Sequence, residues 1–296
     1  MRRFRTVAVI GVGLIGGSFA MALRRAGGAT RIIGADRDRE ALERAAAMGV
    51  IDTAAESVSE AVKQAELVFV SVPVRAMGPV LHAVSRAMPA EAVVTDAGST
   101  KGDVVRDAAQ EMGDRVARFV PGHPIAGRET SGVESALPDL FRGARVVLTP
   151  TPATAPDALD TVRTCWEGCG ARISMLSPEA HDQVFAAVSH LPHLLAFVLV
   201  SELLSRPNSG ELFGFAGGGF RDFTRIAASS PDMWRDIAVA NRAALLEEID
   251  RYAARLAVFR ELVDKADGPG LHRLMTEARA ARRGMAPGKP RATAPE

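Results

Sequence analysis

A chain of 296 residues, set against the roughly 150 of a common domain, points to two domains. Its 36 Lys and Arg against 35 Asp and Glu leave a net charge of +1, which removes the electrostatic reason to expect nucleic acid or an anionic membrane as the main partner. An apolar share of 47% excludes a largely disordered chain. No apolar run approaches the ~20 residues of a membrane span; Leu194–Val200 has the length of a buried helix segment. The opening MRRFRTVAVIG leads into glycines rather than a cleavage site, so no signal peptide is expected. Cys165 and Cys169, four apart on a predicted helix, form no C-x-x-C pair. Neither a disulfide framework nor a metal site is expected, and the chain reads as cytoplasmic.

Up to residue 176, short β-branched runs alternate with helical patterns. Strands are expected at Thr6–Gly11, Arg31–Ala35, Leu67–Pro73, Ala92–Asp96, Arg118–Pro121, Arg145–Thr149 and Arg172–Met175. Helices are expected between them at Gly17–Ala26, Asp38–Ala47, Arg75–Met88 and Lys101–Met112. Apolar runs without polar alternation suit strands covered on both faces, and the repeated β-α-β order predicts an open, doubly wound parallel sheet. From Ser177 the pattern is helical to Leu204, with Ser177 and Pro178 as start signals and Pro192 as a kink. Further helices are expected from Pro231 to about Lys265 and from Gly270 to Arg283. The resulting division is an α/β domain over 1–176, an all-helical domain over 177–283 and a disordered tail over 284–296. The helical part carries more apolar surface than about a hundred residues enclose, so partner helices are expected.

Gly11-Val12-Gly13-Leu14-Ile15-Gly16 follows the first strand and opens the first helix. In that context G-x-G-x-x-G is a dinucleotide-binding turn: Gly11 for the tight bend, Gly13 for close approach of a diphosphate, Gly16 for helix–strand packing. Asp36 ends the second strand where a carboxylate meets the adenosine ribose, which favours NAD. Arg37 beside it keeps NADP open.

Ligands of such a sheet sit at the carboxyl ends of its strands. Ser71-Val72-Pro73, Asp96–Lys101 and Gly122–Gly127 lie there. His123, held between Gly and Pro, suits proton transfer near neutral pH. Ser99 either bonds that ring or the nicotinamide, or caps a helix. His190 and His193 share a helix face. The segment from Gly217 to Arg225 places Arg221 and Arg225 where guanidinium groups meet carboxylates, or else is a flexible surface loop.

These motifs together resemble the prephenate/arogenate (cyclohexadienyl) dehydrogenase family of tyrosine biosynthesis. The resemblance rests on GVGLIGGS at Gly11–Ser18, DAGSTK at Asp96–Lys101, GHPIAGRETSG at Gly122–Gly132, SPEAHDQVFAAVSHLPH at Ser177–His193, GGGFRDFTRIA at Gly217–Ala227 and SSPDMW at Ser229–Trp234. It implies a Rossmann-type domain, a helical domain that makes a homodimer, and NAD(P)-dependent oxidative decarboxylation of a cyclohexadiene. It further implies that His123 accepts the proton of the substrate hydroxyl, that Ser99 orients that group and the nicotinamide, and that Arg225 binds a carboxylate. His190, His193, Arg221, Glu129 and Trp234 match residues that line or close the site, and His181 matches a family position. Asp222 is placed to favour the amine of arogenate, or to serve structure or the dimer. With neither a regulatory module nor a chorismate mutase segment expected, feedback by tyrosine is expected at the active site. Two readings compete. A β-hydroxyacid dehydrogenase needs a lysine on the long helix, and Glu179–Leu204 has none. A silent dinucleotide sensor needs neither His123, Ser99 nor Arg225.

Overall fold

The computed structural model describes residues 2–128 and 130–284. Strand β1 (Phe4–Ile10) leads through α1 (Leu14–Arg25) to β2 (Ala29–Ala35) and α2 (Arg39–Ala47). A short β3 (Thr53–Ala54) and α3 (Val58–Val62) precede β4 (Leu67–Val70), α4 (Met77–Ala87), β5 (Val93–Asp96), α5 (Gly102–Met112) and β6 (Phe119–Val120). All six strands are parallel, in the order β3-β2-β1-β4-β5-β6. The expected doubly wound sheet is therefore present, and its direction of growth reverses between β1 and β4. A crevice opens at the carboxyl ends of strands at such a switch point. Both faces are covered, as the apolar run of β4 requires: β4 and β5 are buried at every residue, the polar Thr95 and Asp96 of β5 included.

The last two expected strands do not join this sheet. β7 (Gly122–Ile125), β8 (Arg145–Leu148) and β9 (Arg172–Met175) form a second sheet, with β7 antiparallel to β8 and α6 (Pro156–Gly168) between β8 and β9. The sequence reading missed β7 because Pro124 lies inside it. Proline gives no ladder N–H, and β7 accommodates it as an edge strand paired only with β8. Phe19, Phe69, Phe141 and Trp166 stack or meet edge-on within 4.1 to 5.6 Å, closing the core between the sheet and α1 and α6.

The rest of the described chain is helical, as expected: α7 (Pro178–Phe185), α8 (Leu191–Leu204), α9 (Ser209–Gly214), α10 (Gly218–Thr224), α11 (Pro231–Ala240), α12 (Arg242–Asp264) and α13 (Gly268–Arg283). Between α7 and α8 the backbone makes one π turn, Ala186–His190, in which the Leu191 N–H reaches back to Ala186 O. Pro192 stands directly after this turn, so the widened turn takes up the register change where proline cannot donate. The continuous run Pro178–Leu204, with a mean hydropathy of 1.9 in its most apolar window, is long and apolar enough to cross a membrane by length and composition. That corrects the expectation that no stretch comes close to spanning length. Three glycines read as a possible loop instead start a helix: Gly217 caps α10, and Gly218 and Gly219 lie in its first turn. The single helix expected from Pro231 is two, parted at Asn241.

Two compact units result, one up to Leu245 and the other from Leu246 onward. The first runs past residue 176 because α7 packs on α5, and α11 packs on the turn Val74–Ala76 that follows β4. In the second, Leu246, Ile249, Tyr252, Leu256 and Val263 recur at helical spacing along α12 and are all exposed. The tail from residue 285 lies outside the described residues.

Candidate active site

Gly11 turns the chain at φ +89°, a left-handed conformation natural to glycine. A Cβ there would stand 2.2 Å from Ser71 O, and one at Gly16 would stand 1.8 Å from Gly11 O. Neither position admits a side chain. Gly13 differs: a Cβ would meet nothing within 4 Å, and no side chain caps α1 there. The first-turn N–H groups of Leu14 and Ile15, at the positive end of α1, thus border open space that fits a diphosphate. Asp36 steadies the turn by accepting hydrogen bonds from Val12 N–H (2.8 Å) and Asp38 N–H (3.0 Å). Each carboxylate oxygen keeps a lone pair for a ribose hydroxyl. Ser71 N–H donates to Ile10 O at 2.7 Å, which sets Ser71, Val72 and Pro73 against the glycine turn. Arg37 is exposed and, with Pro73, Arg75 and Asp236, lines a groove of about 560 Å³.

A second cavity, of about 370 Å³, is lined by Ser99, His123, Phe185, His190, His193 and Trp234, among others. Residues expected far apart in sequence thus share one wall. His123 comes from β7, Ser99 from the turn after β5, and the other four from α7, the π turn, α8 and α11. Burial, above all, with His181, Lys101 and His190 nearby, pushes His123 well below the usual imidazole range. It is uncharged at neutral pH.

A buried ion pair holds the two strand ends. Asp96 and Lys101 are both fully buried. Lys101 Nζ donates to Asp96 Oδ2 and to Gly122 O, while Asp96 accepts from Gly98 N–H (2.7 Å) and Gly122 N–H (2.9 Å). The Ser99 turn and the start of β7 are tied through one carboxylate, so neither charge is left unpaired in the interior. Asp182, on α7, does the same for α5: its oxygens accept from Lys101 N–H and Gly102 N–H at 2.8 Å each, capping a helix that has no side-chain cap of its own. Neither pair entered the sequence-based site, although Asp96 and Lys101 sat inside a quoted motif. Buried charge, which marks them, is not visible in sequence.

The histidines of the helical part differ in what they offer. His190 accepts from Asn241 Nδ2 at Nδ1 (3.1 Å) and also bonds the Ser99 backbone; burial pushes it down to about 4. It walls the cavity with its polar edges engaged inside the protein. Asn241 also donates to Asp182 O, so the break between α11 and α12 buys a polar anchor. His193 donates from Nδ1 to Ser189 O and stacks on Trp234 at 3.8 Å. Its Nε2 is then an acceptor. Trp234 Nε1 is buried with no partner among the described residues, a donor that a ligand oxygen would satisfy. Arg221 and Arg225 are exposed and do not line the cavity within one chain. Among the described residues its lining holds no Arg or Lys. Glu129 lies outside the described residues.

The carboxyl edge of the large sheet thus carries a turn shaped for a dinucleotide after β1 and, after β5, Ser99, which shares a cavity with the uncharged His123 of β7, the layout of an oxidoreductase that passes hydride to or from a small molecule. Comparison with known proteins agrees. Residues 19–175 match the prephenate dehydrogenase nucleotide-binding domain, and residues 177–277 match the prephenate dehydrogenase dimerization domain. The chain belongs to the prephenate dehydrogenase family. It is 34% identical to the cyclohexadienyl dehydrogenase of Zymomonas mobilis over 95% of this chain and 96% of that one. Prephenate dehydrogenase from A. aeolicus, solved with hydroxyphenyl propionate and NAD+, superposes with a TM-score of 0.90 at 40% identity, covering 95% of this chain and 98% of that one. Arogenate dehydrogenase from Synechocystis gives 0.80 at 31% identity, covering 95% and 100%.

Proposed function

We propose that the protein is an NAD-dependent dehydrogenase of prephenate, arogenate or both, making 4-hydroxyphenylpyruvate or tyrosine in tyrosine biosynthesis. The observation that carries the reading is that His123 and Ser99 line one cavity, with Ser99 at the same carboxyl edge of the sheet as the open glycine turn. NAD, when bound, supplies the hydride acceptor. His123 takes the proton of the substrate's ring hydroxyl, and Ser99 orients that hydroxyl. Carbon dioxide leaves as the ring becomes aromatic. The apolar wall of Phe185, Trp234 and Ile237 suits the ring, and the buried Trp234 N–H suits a carboxylate oxygen.

The substrate carries two carboxylates, and among the described residues the lining of their cavity in one chain holds no Arg or Lys. Arg225 and Arg221 serve them in a homodimer, where a second copy covers the apolar faces exposed on α8 and α12, such as Val198, Leu204 and Leu256. The name of the second matched domain supports that assembly. Functionally the chain divides at 176/177 into a nucleotide domain and a helical substrate domain. Tyrosine, which shares the product ring, competes in the same cavity. Two buried free thiols suit the cytoplasm.

NAD is expected to be preferred over NADP by at least about tenfold in kcat/KM, because Asp36 would lie beside the 2′-phosphate. Steady-state kinetics with both cofactors checks this. Equal or better use of NADP would show that Arg37 and Arg75 outweigh Asp36.

A further inference from the structure

His123 acts as a base only if its cavity nitrogen carries no proton. A neutral imidazole can hold its proton on either nitrogen, and the wrong choice turns the acceptor into a donor. The hydrogen-bond chain behind His123 makes that choice. His123 Nδ1 lies 2.9 Å from His181 Nε2, and His181 Nδ1 lies 2.8 Å from Asp182 Oδ1. An ionised carboxylate only accepts, so His181 carries its proton on Nδ1. With His181 neutral, its Nε2 is bare and must accept, so His123 carries its proton on Nδ1 and exposes a bare Nε2.

We propose that His181 and Asp182 are positioning residues that fix the tautomer of His123, acting through it on the substrate hydroxyl without touching substrate themselves. Every part of the chain is held. His181 is fully buried, and its ring lies 4.5 Å from that of Phe185, which also packs 4.9 Å from His123. Asp182 is kept ionised by three donors, the His181 ring and the N–H groups of Lys101 and Gly102, and by the positive end of α5 that those two N–H groups mark. Its carboxyl sits below its ordinary value despite burial, which works the other way. Burial holds His181 below the imidazole range although Asp182 pulls it up. Both rings are therefore neutral at pH 7, as the proton assignment requires. Asn241, which bonds the Asp182 backbone, and Lys101, which bonds both Asp96 and Asp182, lock the same unit to the cavity wall.

This inference deepens the dehydrogenase reading and rests on it for its catalytic meaning, but its first test needs no turnover. In ¹⁵N-histidine NMR of the full chain, with the His123 signals assigned by their loss in His123→Asn, Nδ1 of His123 should be protonated and Nε2 bare. A proton on Nε2, or a doubly protonated His181, overturns the proposal. Kinetics of two variants then separate positioning from packing. His181→Leu keeps bulk without an acceptor and should lower kcat roughly 10- to 100-fold, with KM for both substrates within about threefold. His181→Gln restores an acceptor oxygen near the Nε2 position and should recover most of that loss. Equal losses in the two variants would make His181 a packing residue and overturn the proposal. Wild-type enzyme that turns over neither prephenate nor arogenate would instead overturn the dehydrogenase reading, leaving the tautomer to be decided by the spectrum.

Discussion

Replacing His123 with Asn is expected to lower kcat by about 10²–10⁴, the reach of general base catalysis, while NAD affinity stays within about threefold. Asn retains a polar group near the Nδ1 position, so the contact toward His181 Nε2 can survive while the proton acceptor at Nε2 is lost. The loss should therefore fall on the chemical step rather than on folding. The pH profile provides a second handle. His123 titrates well below the imidazole range, so its neutral form persists as pH falls through that range. Wild-type kcat/KM should hold its value there and drop only at more acidic pH, with the drop absent in the variant. A His123→Asn enzyme within threefold of wild type would remove His123 from the mechanism.

Arg225→Ala is expected to raise KM for the cyclohexadiene substrate by about 30-fold or more, with NAD affinity nearly unchanged. Truncation leaves one substrate carboxylate unpaired in a partly desolvated site, a loss of roughly 2–4 kcal/mol. Among the described residues the cavity lining of one chain holds no Arg or Lys, which is why the effect should be large. Because the proposed role is fulfilled in the dimer, sedimentation and melting temperature belong in the same experiment. An unchanged KM in a variant that remains dimeric would take Arg225 out of substrate binding.

Much of the fold and part of the site are legible in the sequence. Gly11 and Gly16 are legible because steric demand on backbone is written directly in glycine spacing, and the structure admits no side chain at either, whereas a Cβ at Gly13 would meet only open space. The unbroken apolar run of β4 identified a strand buried on both faces for the same kind of reason. His123 was visible by its setting between Gly and Pro, yet its strand was not, since Pro124 is tolerated only because β7 is an edge. What the sequence concealed was the polar wiring. Asp182 looks like any acid on a surface helix, and only its approach to α5 from a position 80 residues away shows it to be a cap. Asn241 looks like a polar residue inside one long helix, whereas its side chain ends that helix to bond Asp182 and His190. Such roles depend on contacts between elements remote in sequence, and no local pattern encodes them.

The most direct measurement follows the purified full chain with NAD and either prephenate or arogenate, recording NADH absorbance and carbon dioxide release together. The expected result is equimolar NADH and carbon dioxide with at least one of the two substrates, accompanied by the absorbance of a phenolic product. Folded dimer that produces neither with both substrates, or NADH without carbon dioxide, would contradict it.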